Sequence, residues 1–301
     1  MLSHAVRLPD TRVLSYLEYG DPDGKPLFLL HGAPGSSAGW SFMDEALRKA
    51  NLRAIAIDRP GIGLSTWQPR RTLLDWPKDL AHFADALGIE QFPVLGWSGG
   101  GPYSLACAYA LPQRITVAGV VAGTLPLDWA GALEGLNVLE IRVVQAGRVN
   151  PRLGHAVMEG IRRVSDRWPE RAAKWMESAF SDADRRTSER FPELLGEMES
   201  FNESYRQGSR GVARDYYVYG APWGFDPGAI RAPVKIWHGD DDLFVPLSHG
   251  QRLAERIPGA TLHVYEGLGH LAPMEIADDL LAELSAADDE ARAKRPAGSP
   301  A

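Results

Sequence analysis

The feature that most constrains this chain is a glycine-rich segment between an apolar run and a helical pattern. Residues 94–102 read Val-Leu-Gly-Trp-Ser-Gly-Gly-Gly-Pro, which places Ser98 in a Gly-x-Ser-x-Gly motif. In that setting the motif is typical of a very tight strand-to-helix turn that presents the serine hydroxyl beyond the sheet. The free N–H groups at the start of the helix also favour negative charge that forms beside Ser98. We therefore predict that Ser98 is a nucleophile.

Two other structures could contain a segment of this composition. In the first, Ser98 only caps a helix after a glycine-rich turn. In the second, the glycines cradle a phosphate, but neither G-x-G-x-x-G nor G-x-x-x-x-G-K-[ST] matches around residues 96–102. The apolar run at 92–95 and the helix predicted over 102–110 favour the nucleophile.

Short apolar runs alternate with helical patterns along much of the chain. Continuous apolar residues indicate strands that are buried on both faces, so the pattern predicts an α/β fold with a mostly parallel central sheet flanked by helices. Two earlier runs, 12–19 and 26–30, predict a hairpin that enters the sheet. The predicted buried strands are 52–57, 92–95, 115–122, 233–237 and 262–265, and the predicted helices are 40–50, 74–87 and 102–110.

The alternation stops after Gly123 and resumes at Ala232. The stretch between them is rich in Arg, Glu, Trp and Met at helical spacing, so we predict that residues 124–228 form a helical insertion over the carboxyl edge of the sheet. Residues 1–123 and 229–285 then form the core domain. Residues 286–301 are charged and rich in proline without an apolar anchor, which predicts a disordered tail.

A serine hydroxyl needs a neighbouring imidazole to accept its proton, and that imidazole needs a carboxylate to orient it. His270 follows the last apolar strand, in a loop that could place it over Ser98. Three consecutive carboxylates, Asp240, Asp241 and Asp242, follow the preceding strand. Only one of them can orient His270, and repulsion requires the others to face solvent or cap the next helix.

Four ordered motifs together resemble the α/β-hydrolase superfamily. They are the His-Gly-Ala-Pro-Gly turn at 31–35, Asp-Arg-Pro-Gly-Ile-Gly-Leu-Ser at 58–65, the turn at Ser98, and a late G-x-x-D-x-x-V-P segment. The resemblance covers the chain apart from the insertion and the tail. It implies that Asp242 is the acid, while Asp128 stays an alternative because some members carry the acid after the preceding core strand.

The resemblance also implies two backbone N–H donors for a developing oxyanion. By position these are Ala33, from the early strand-to-helix loop, and Gly99, the residue after the nucleophile. His31 would then shape the loop, and residues 58–65 would brace the loops of the site or form an ordinary exposed connection.

Composition narrows the classes of partner and compartment. The 32 Lys and Arg residues against 39 Asp and Glu give a net charge of −7, which offers no cationic face for nucleic acid. A single cysteine, Cys107, permits no internal disulfide and favours the cytoplasm and a buried structural role. No apolar stretch approaches the ~18 residues that span a membrane. No metal or nucleotide motif is present, so we expect a small-molecule substrate and no cofactor.

In the superfamily, such an insertion commonly forms a cap over the substrate pocket. The apolar residues that could line that pocket, or pack within the cap, are Trp129, Trp168, Trp175, Met158, Met176, Met198, Tyr216, Tyr217, Val218 and Tyr219. A serine nucleophile favours hydrolysis of an ester or lactone through an acyl-enzyme. The alternatives are a proline-releasing aminopeptidase, with Glu134, Glu140 or Glu203 binding the substrate ammonium, and a ligand-binding protein without turnover. Carbon–carbon bond hydrolases and perhydrolases share the same triad.

Overall fold

The computed structural model describes residues 3–191 and 195–294. Its strands are β1 (His4–Arg7), β2 (Val13–Gly20), β3 (Lys25–Leu30), β4 (Leu52–Ile57), β5 (Phe92–Trp97), β6 (Ile115–Val121), β7 (Val234–Gly239) and β8 (Thr261–Tyr265). They form one eight-stranded sheet in the order β1-β2-β4-β3-β5-β6-β7-β8. β2 pairs antiparallel with both of its neighbours, β1 and β4. Every other pair of neighbouring strands, from β4–β3 to β7–β8, is parallel. The predicted mostly parallel sheet is therefore confirmed.

The predicted hairpin between residues 12–19 and 26–30 is wrong. β4 lies between β2 and β3, and the hairpin is instead formed by β1 and β2, with Val6 opposite Leu14. The short β1 segment has one buried residue among four, so its apolar signal is too weak to indicate a strand. β3 is an apolar run suited to the interior of a parallel sheet, where both faces are covered.

Helices cover both faces of the sheet. Alternate side chains of β3 enter opposite cores, with Phe28 and Leu30 on one side and Leu27 and Leu29 on the other. The helices are α1 (Asp44–Lys49), α2 (Asp75–Ala86), α3 (Gly101–Ala110), α4 (Val138–Val149), α5 (Pro151–Arg167), α6 (Pro169–Glu177), α7 (Asp182–Arg190), α8 (Leu195–Ser204), α9 (Arg210–Gly220), α10 (Leu247–Arg256), α11 (Ala272–Glu275) and α12 (Ala277–Ala293). In the described ranges, no helix is long and apolar enough to cross a membrane.

Helices α4 to α9 lie between β6 and β7, within the insertion (residues 124–228). α4 packs against α5 and α9, and α8 packs against the 3₁₀ helix Ser37–Met43 that follows β3. The insertion thus contacts loops at the carboxyl ends of the strands. The domain boundaries that we drew from the sequence stay a prediction.

The prediction of a disordered tail from residue 286 is wrong for its first part. α12 continues to Ala293, with Leu284 buried in the core and Asp288 only 2% exposed. The Nε of Arg292 donates to Asp288 at 2.9 Å, and its Nη2 donates to the carbonyl of Gln91 at 2.8 Å. This i,i+4 ion pair and the buried face anchor a segment that is polar by composition alone. Residues 295–301 lie outside the described residues.

Candidate active site

Ser98 lies at the turn between β5 and α3. Its φ angle is 53°, a left-handed conformation that non-glycine residues adopt rarely and that is found at functional turns. Two glycines make the turn possible. A Cβ on Gly96 would lie 2.3 Å from the carbonyl oxygen of Gly100, and one on Gly100 would lie 2.1 Å from that of Leu30. Ser98 is partly exposed while both of its neighbours are buried, so the turn presents the hydroxyl as the motif predicts.

The structure pairs His270 with the third of the three consecutive carboxylates. The Nδ1 atom of His270 lies 2.8 Å from Oδ2 of Asp242, whose side chain is fully buried. Oδ1 of Asp242 accepts the backbone N–H groups of Phe244 and Val245 at 2.8 and 2.9 Å. These bonds fix the carboxylate, which in turn holds the proton of a neutral imidazole on Nδ1 and leaves Nε2 free to accept one.

The charge of Asp242 also changes the acid strength of His270. Burial alone would lower the pKa of His270, but the charge and hydrogen bond of Asp242, with smaller contributions from Asp184 and Glu140, raise it to about 9. Asp242 therefore stabilises the imidazolium that forms when His270 accepts a proton.

The other candidate acids have different partners. Asp240 accepts the N–H of Gly267 at 2.7 Å, and Asp241 accepts that of Ala183 at 3.4 Å. Asp128 is exposed, and within the described chain it makes no hydrogen bond to His270. The geometry thus favours Asp242 over the three alternatives.

Ser98 and His270 line the same cavity, which has a volume of about 600 Å³. Within the part of the chain that the structure describes, no hydrogen bond joins the two side chains, as is common before a substrate is bound. The Nε1–H of Trp97, the residue before Ser98, donates to the carbonyl of His270 at 3.2 Å. This bond ties the His270 loop to the turn that carries Ser98.

The predicted oxyanion donors also lie next to each other. A Cβ built on Gly99 would be 3.3 Å from the nitrogen of Ala33, and one built on Gly32 would be 3.4 Å from Cβ of Ser98. The loop at 31–35 therefore lies against the turn at Ser98, and Ala33 lines the cavity.

The remaining lining of the cavity is mostly apolar and comes largely from the insertion. Four of the predicted pocket residues line it, namely Met158, Trp175, Met176 and Tyr216, whereas Trp129, Trp168, Tyr217 and Tyr219 are not part of its wall as described. The side chain of Met198 lies outside the described part of the structure. Tyr219 is fully buried, and its ring lies 3.4 Å from a Cβ position built on Gly99.

One acidic side chain of the insertion faces the cavity. Of the three candidates for an ammonium site, Glu140 lines the cavity, while Glu134 is exposed and Glu203 pairs with Arg206. Oε1 of Glu140 accepts the hydroxyl of Tyr219 at 3.0 Å. Burial raises the pKa of Glu140 to about 7, against the opposing effect of that hydrogen bond.

Sequence reasoning missed the side chains that hold these loops. Asp184 of α7 is fully buried, and its Oδ1 accepts the N–H of Leu271 at 2.8 Å, directly after His270. Asp215 of α9 is 1% exposed and forms ion pairs with Arg59 and Arg71. In the sequence, the available signal was an aspartate on the buried side of a helical pattern. The residues that these aspartates bind could not be predicted, because Leu271 lies 87 positions from Asp184 and Arg59 lies 156 positions from Asp215. Residues 3–191 and 195–294 contain no group of three or more His, Cys, Asp or Glu side chains that could hold a metal ion.

Comparisons with known proteins bear on the family and the fold. A model of the alpha/beta hydrolase family matches residues 27–284. A 2-hydroxy-6-oxononadienedioate/2-hydroxy-6-oxononatrienedioate hydrolase from Dechloromonas aromatica (strain RCB) is 26% identical over 92% of this chain and 91% of its own length. A 2-hydroxy-6-oxo-6-phenylhexa-2,4-dienoate hydrolase from Comamonas testosteroni is 27% identical over 89% and 88%, respectively. An esterase structure from Exiguobacterium antarcticum has a TM-score of 0.71 at 18% identity, covering 96% of this chain and 100% of that one.

Proposed function

The chain belongs to the alpha/beta hydrolase family, and we propose that it hydrolyses a carboxylic ester or lactone of a small organic molecule through an acyl-enzyme on Ser98. One observation carries the proposal. Ser98, held at a φ of 53°, opens into the same cavity as His270, whose Nδ1 is 2.8 Å from the buried carboxylate of Asp242. A serine and an imidazole that share one cavity, with the imidazole bonded to a fixed carboxylate, are the parts that acyl transfer requires.

Each part has a defined step. The Oγ of Ser98 attacks the acyl carbon while Nε2 of His270 takes its proton, and the N–H groups of Ala33 and Gly99 stabilise the oxyanion. The imidazolium then gives its proton to the leaving oxygen as the carbon–oxygen bond breaks. Water, deprotonated by His270, then attacks the acyl carbon; the bond from that carbon to Oγ of Ser98 breaks, the imidazolium returns its proton to Oγ, and the carboxylic acid leaves.

The charges of the cavity bear on the substrate. Among the described lining residues, the carboxyl-bearing side chain is Glu140 and the strong cation is the exposed Arg142. A dicarboxylate, such as the dienedioates named for the relatives, would place negative charge in an apolar cavity beside Glu140. We therefore propose an uncharged ester or lactone as the preferred substrate of this chain.

The same acid supports a second candidate. A carboxylate near the nucleophile, without a salt bridge to a described cation, could bind the ammonium group of an aminoacyl substrate. Such an aminopeptidase would cleave aminoacyl anilides and would lose most of that activity in Glu140→Gln, with uncharged esters unaffected.

Initial rates on matched substrates test the proposal. The panel contains an uncharged nitrophenyl ester, the corresponding ester with a terminal carboxylate, a lactone and an aminoacyl anilide. We expect the uncharged ester or the lactone to have the highest kcat/KM, and Glu140→Gln to improve the carboxylate ester roughly tenfold. Glu134→Gln, which changes an exposed acid of the insertion, is the control. Folded enzyme that hydrolyses no ester or lactone of the panel would contradict the proposal.

A further inference from the structure

All three carbonyl groups of the loop at 31–33 are held by side chains. Arg59 donates through Nη1 to the carbonyl of His31 at 2.5 Å and through Nη2 to that of Gly32 at 2.8 Å. The hydroxyl of Tyr216 donates to the carbonyl of Ala33 at 2.9 Å. Burial raises the pKa of Tyr216, so this hydroxyl stays protonated. The side chains of Arg59 and Tyr216 thus fix all three peptide carbonyls of the loop.

The imidazole of His31 forms a further hydrogen bond to the carbonyl of Gly32. Its Nε2 accepts the backbone N–H of Arg59 at 3.3 Å, and its Nδ1 lies 2.8 Å from the carbonyl of Gly32. Burial, aided by the charge of Arg59, lowers the pKa of His31 to about 3. The neutral ring therefore carries its proton on Nδ1 and donates it to Gly32, since Nε2 is occupied as an acceptor.

The position of the Gly32 carbonyl decides where the N–H of Ala33 points. The two groups belong to one planar trans peptide, in which they point in opposite directions. With the carbonyl directed at Arg59, the N–H points away from Arg59, and the Ala33 nitrogen lies 3.3 Å from a Cβ position built on Gly99, the residue after Ser98.

Arg59 is itself held by the insertion. Its side chain is fully buried and forms an ion pair with Asp215 of α9 at 2.8 Å, while its guanidinium lies 4.5 Å from the ring centre of Tyr103. Asp215 also pairs with Arg71, and the hydroxyl of Tyr103 donates to it at 3.0 Å. The two arginines hold the pKa of Asp215 far below its usual range despite its burial.

We propose that Arg59 and Tyr216 are positioning residues that aim the N–H of Ala33 at the developing oxyanion, and that Asp215 holds Arg59 in place. Adjacent residues of α9, Asp215 and Tyr216, thereby make the insertion a structural part of the oxyanion hole. This inference rests on the proposed acyl transfer at Ser98. In this arrangement α9, which lies outside the core sheet, determines how well the oxyanion of the transition state is stabilised.

Two variants with matched inhibitors test the proposal. A trifluoromethyl ketone takes the Oγ of Ser98 onto its carbonyl carbon, His270 takes the proton, and the carbonyl oxygen becomes an oxyanion. The methyl ketone of the same chain binds without a stable adduct. Arg59→Lys keeps the positive charge but loses the two-pronged donor, and Tyr216→Phe removes one hydroxyl only. Tyr19→Phe, which removes another buried hydroxyl that donates to a backbone carbonyl at 3.1 Å, is the control.

We expect kcat to fall about 100-fold in Arg59→Lys and about tenfold in Tyr216→Phe, with KM changed less than about threefold. The inhibition constant of the trifluoromethyl ketone should rise in proportion to the loss of kcat, while that of the methyl ketone stays nearly constant. The control should remain within about twofold of wild type.

Equal losses for both ketones, or unchanged kcat in a folded variant, would overturn the proposal. If Arg59→Lys does not fold, Tyr216→Phe alone decides the result. Wild-type enzyme that forms no adduct with the trifluoromethyl ketone would instead contradict the proposed function, so the two failures are distinguishable.

Discussion

Two buried carboxylates, Asp242 and Asp215, have different kinds of partner. Asp242 has a titratable partner, His270, which is 13% exposed and lines the cavity. Asp215 has two permanently charged partners, Arg59 and Arg71, which are 0% and 3% exposed. The first arrangement can accept and release a proton where substrate binds, whereas the second can only hold its shape. Burial of a carboxylate therefore does not identify a catalytic acid, but the protonation chemistry of its partner does.

The comparison of the two carboxylates predicts that the largest loss of activity follows replacement of His270, the residue proposed to take the proton. His270→Ala removes the proposed base while leaving Asp242 its two backbone hydrogen bonds, so hydrolysis should fall on the order of 10⁶-fold. The circular dichroism spectrum and Tm should stay near those of wild type. Steady-state rates of purified protein measure the loss. Residual activity within tenfold of wild type would assign the base to another residue.

Replacement of Asp242, the proposed catalytic carboxylate, should have a smaller effect on the rate. Asp242→Asn keeps an oxygen for the N–H groups of Phe244 and Val245 but no longer stabilises the imidazolium, so kcat should fall on the order of 10⁴-fold. Asp128→Asn, at the exposed alternative acid, is the matched control and should leave kcat near wild type. The reverse order of the two variants would reassign the acid.

Replacement of the other carboxylate should act mainly on stability. Asp215→Asn leaves Arg59 and Arg71 buried without a counter-charge, so the free energy of unfolding should fall by about 3–5 kcal/mol. Urea denaturation of this variant beside Asp242→Asn measures the contrast. If both variants lose the same stability, the distinction between the two carboxylates fails.

The smallest predicted effect is a shift in pH dependence. The pKa of His270 is raised to about 9, so kcat/KM should rise with pH as the imidazolium loses its proton. Without the charge of Asp242, burial lowers the pKa of His270, and the midpoint of this rise should move to lower pH by at least about one unit. The rate of serine labelling against pH in wild type and Asp242→Asn measures the shift. An unchanged midpoint would mean that another group controls the rise.

The sequence was sufficient to predict those parts of the molecule whose structure depends on residues close together in the chain. The turn at Ser98 needs glycine at 96 and 100 because of contacts within the turn and with β3, and such a turn follows directly from a strand-to-helix motif. Continuous apolar strands predicted the parallel sheet, and the family model confirms both the α/β-hydrolase assignment and the hydrolase class. The catalytic and oxyanion roles of Ser98, Asp242, His270, Ala33 and Gly99 stay predictions.

The parts that sequence reasoning missed depend on contacts between distant residues. The strand order places β4 between β2 and β3, and no local pattern specifies which strands pair. The start of the supposed tail is helical because Arg292 reaches Gln91, 201 positions earlier. Likewise, Asp215 and Asp184 look like ordinary polar positions of surface helices until their partners in the core loops are known.

Intact-protein mass after treatment with a fluorophosphonate tests the central claim, an activated Ser98, most directly. Wild type, Ser98→Ala and His270→Ala are compared after their folding has been matched by circular dichroism. We predict one adduct on wild type, none on Ser98→Ala, and labelling of His270→Ala that is slower by several orders of magnitude. An adduct that persists at an undiminished rate on Ser98→Ala, or no adduct on folded wild type, would contradict the account.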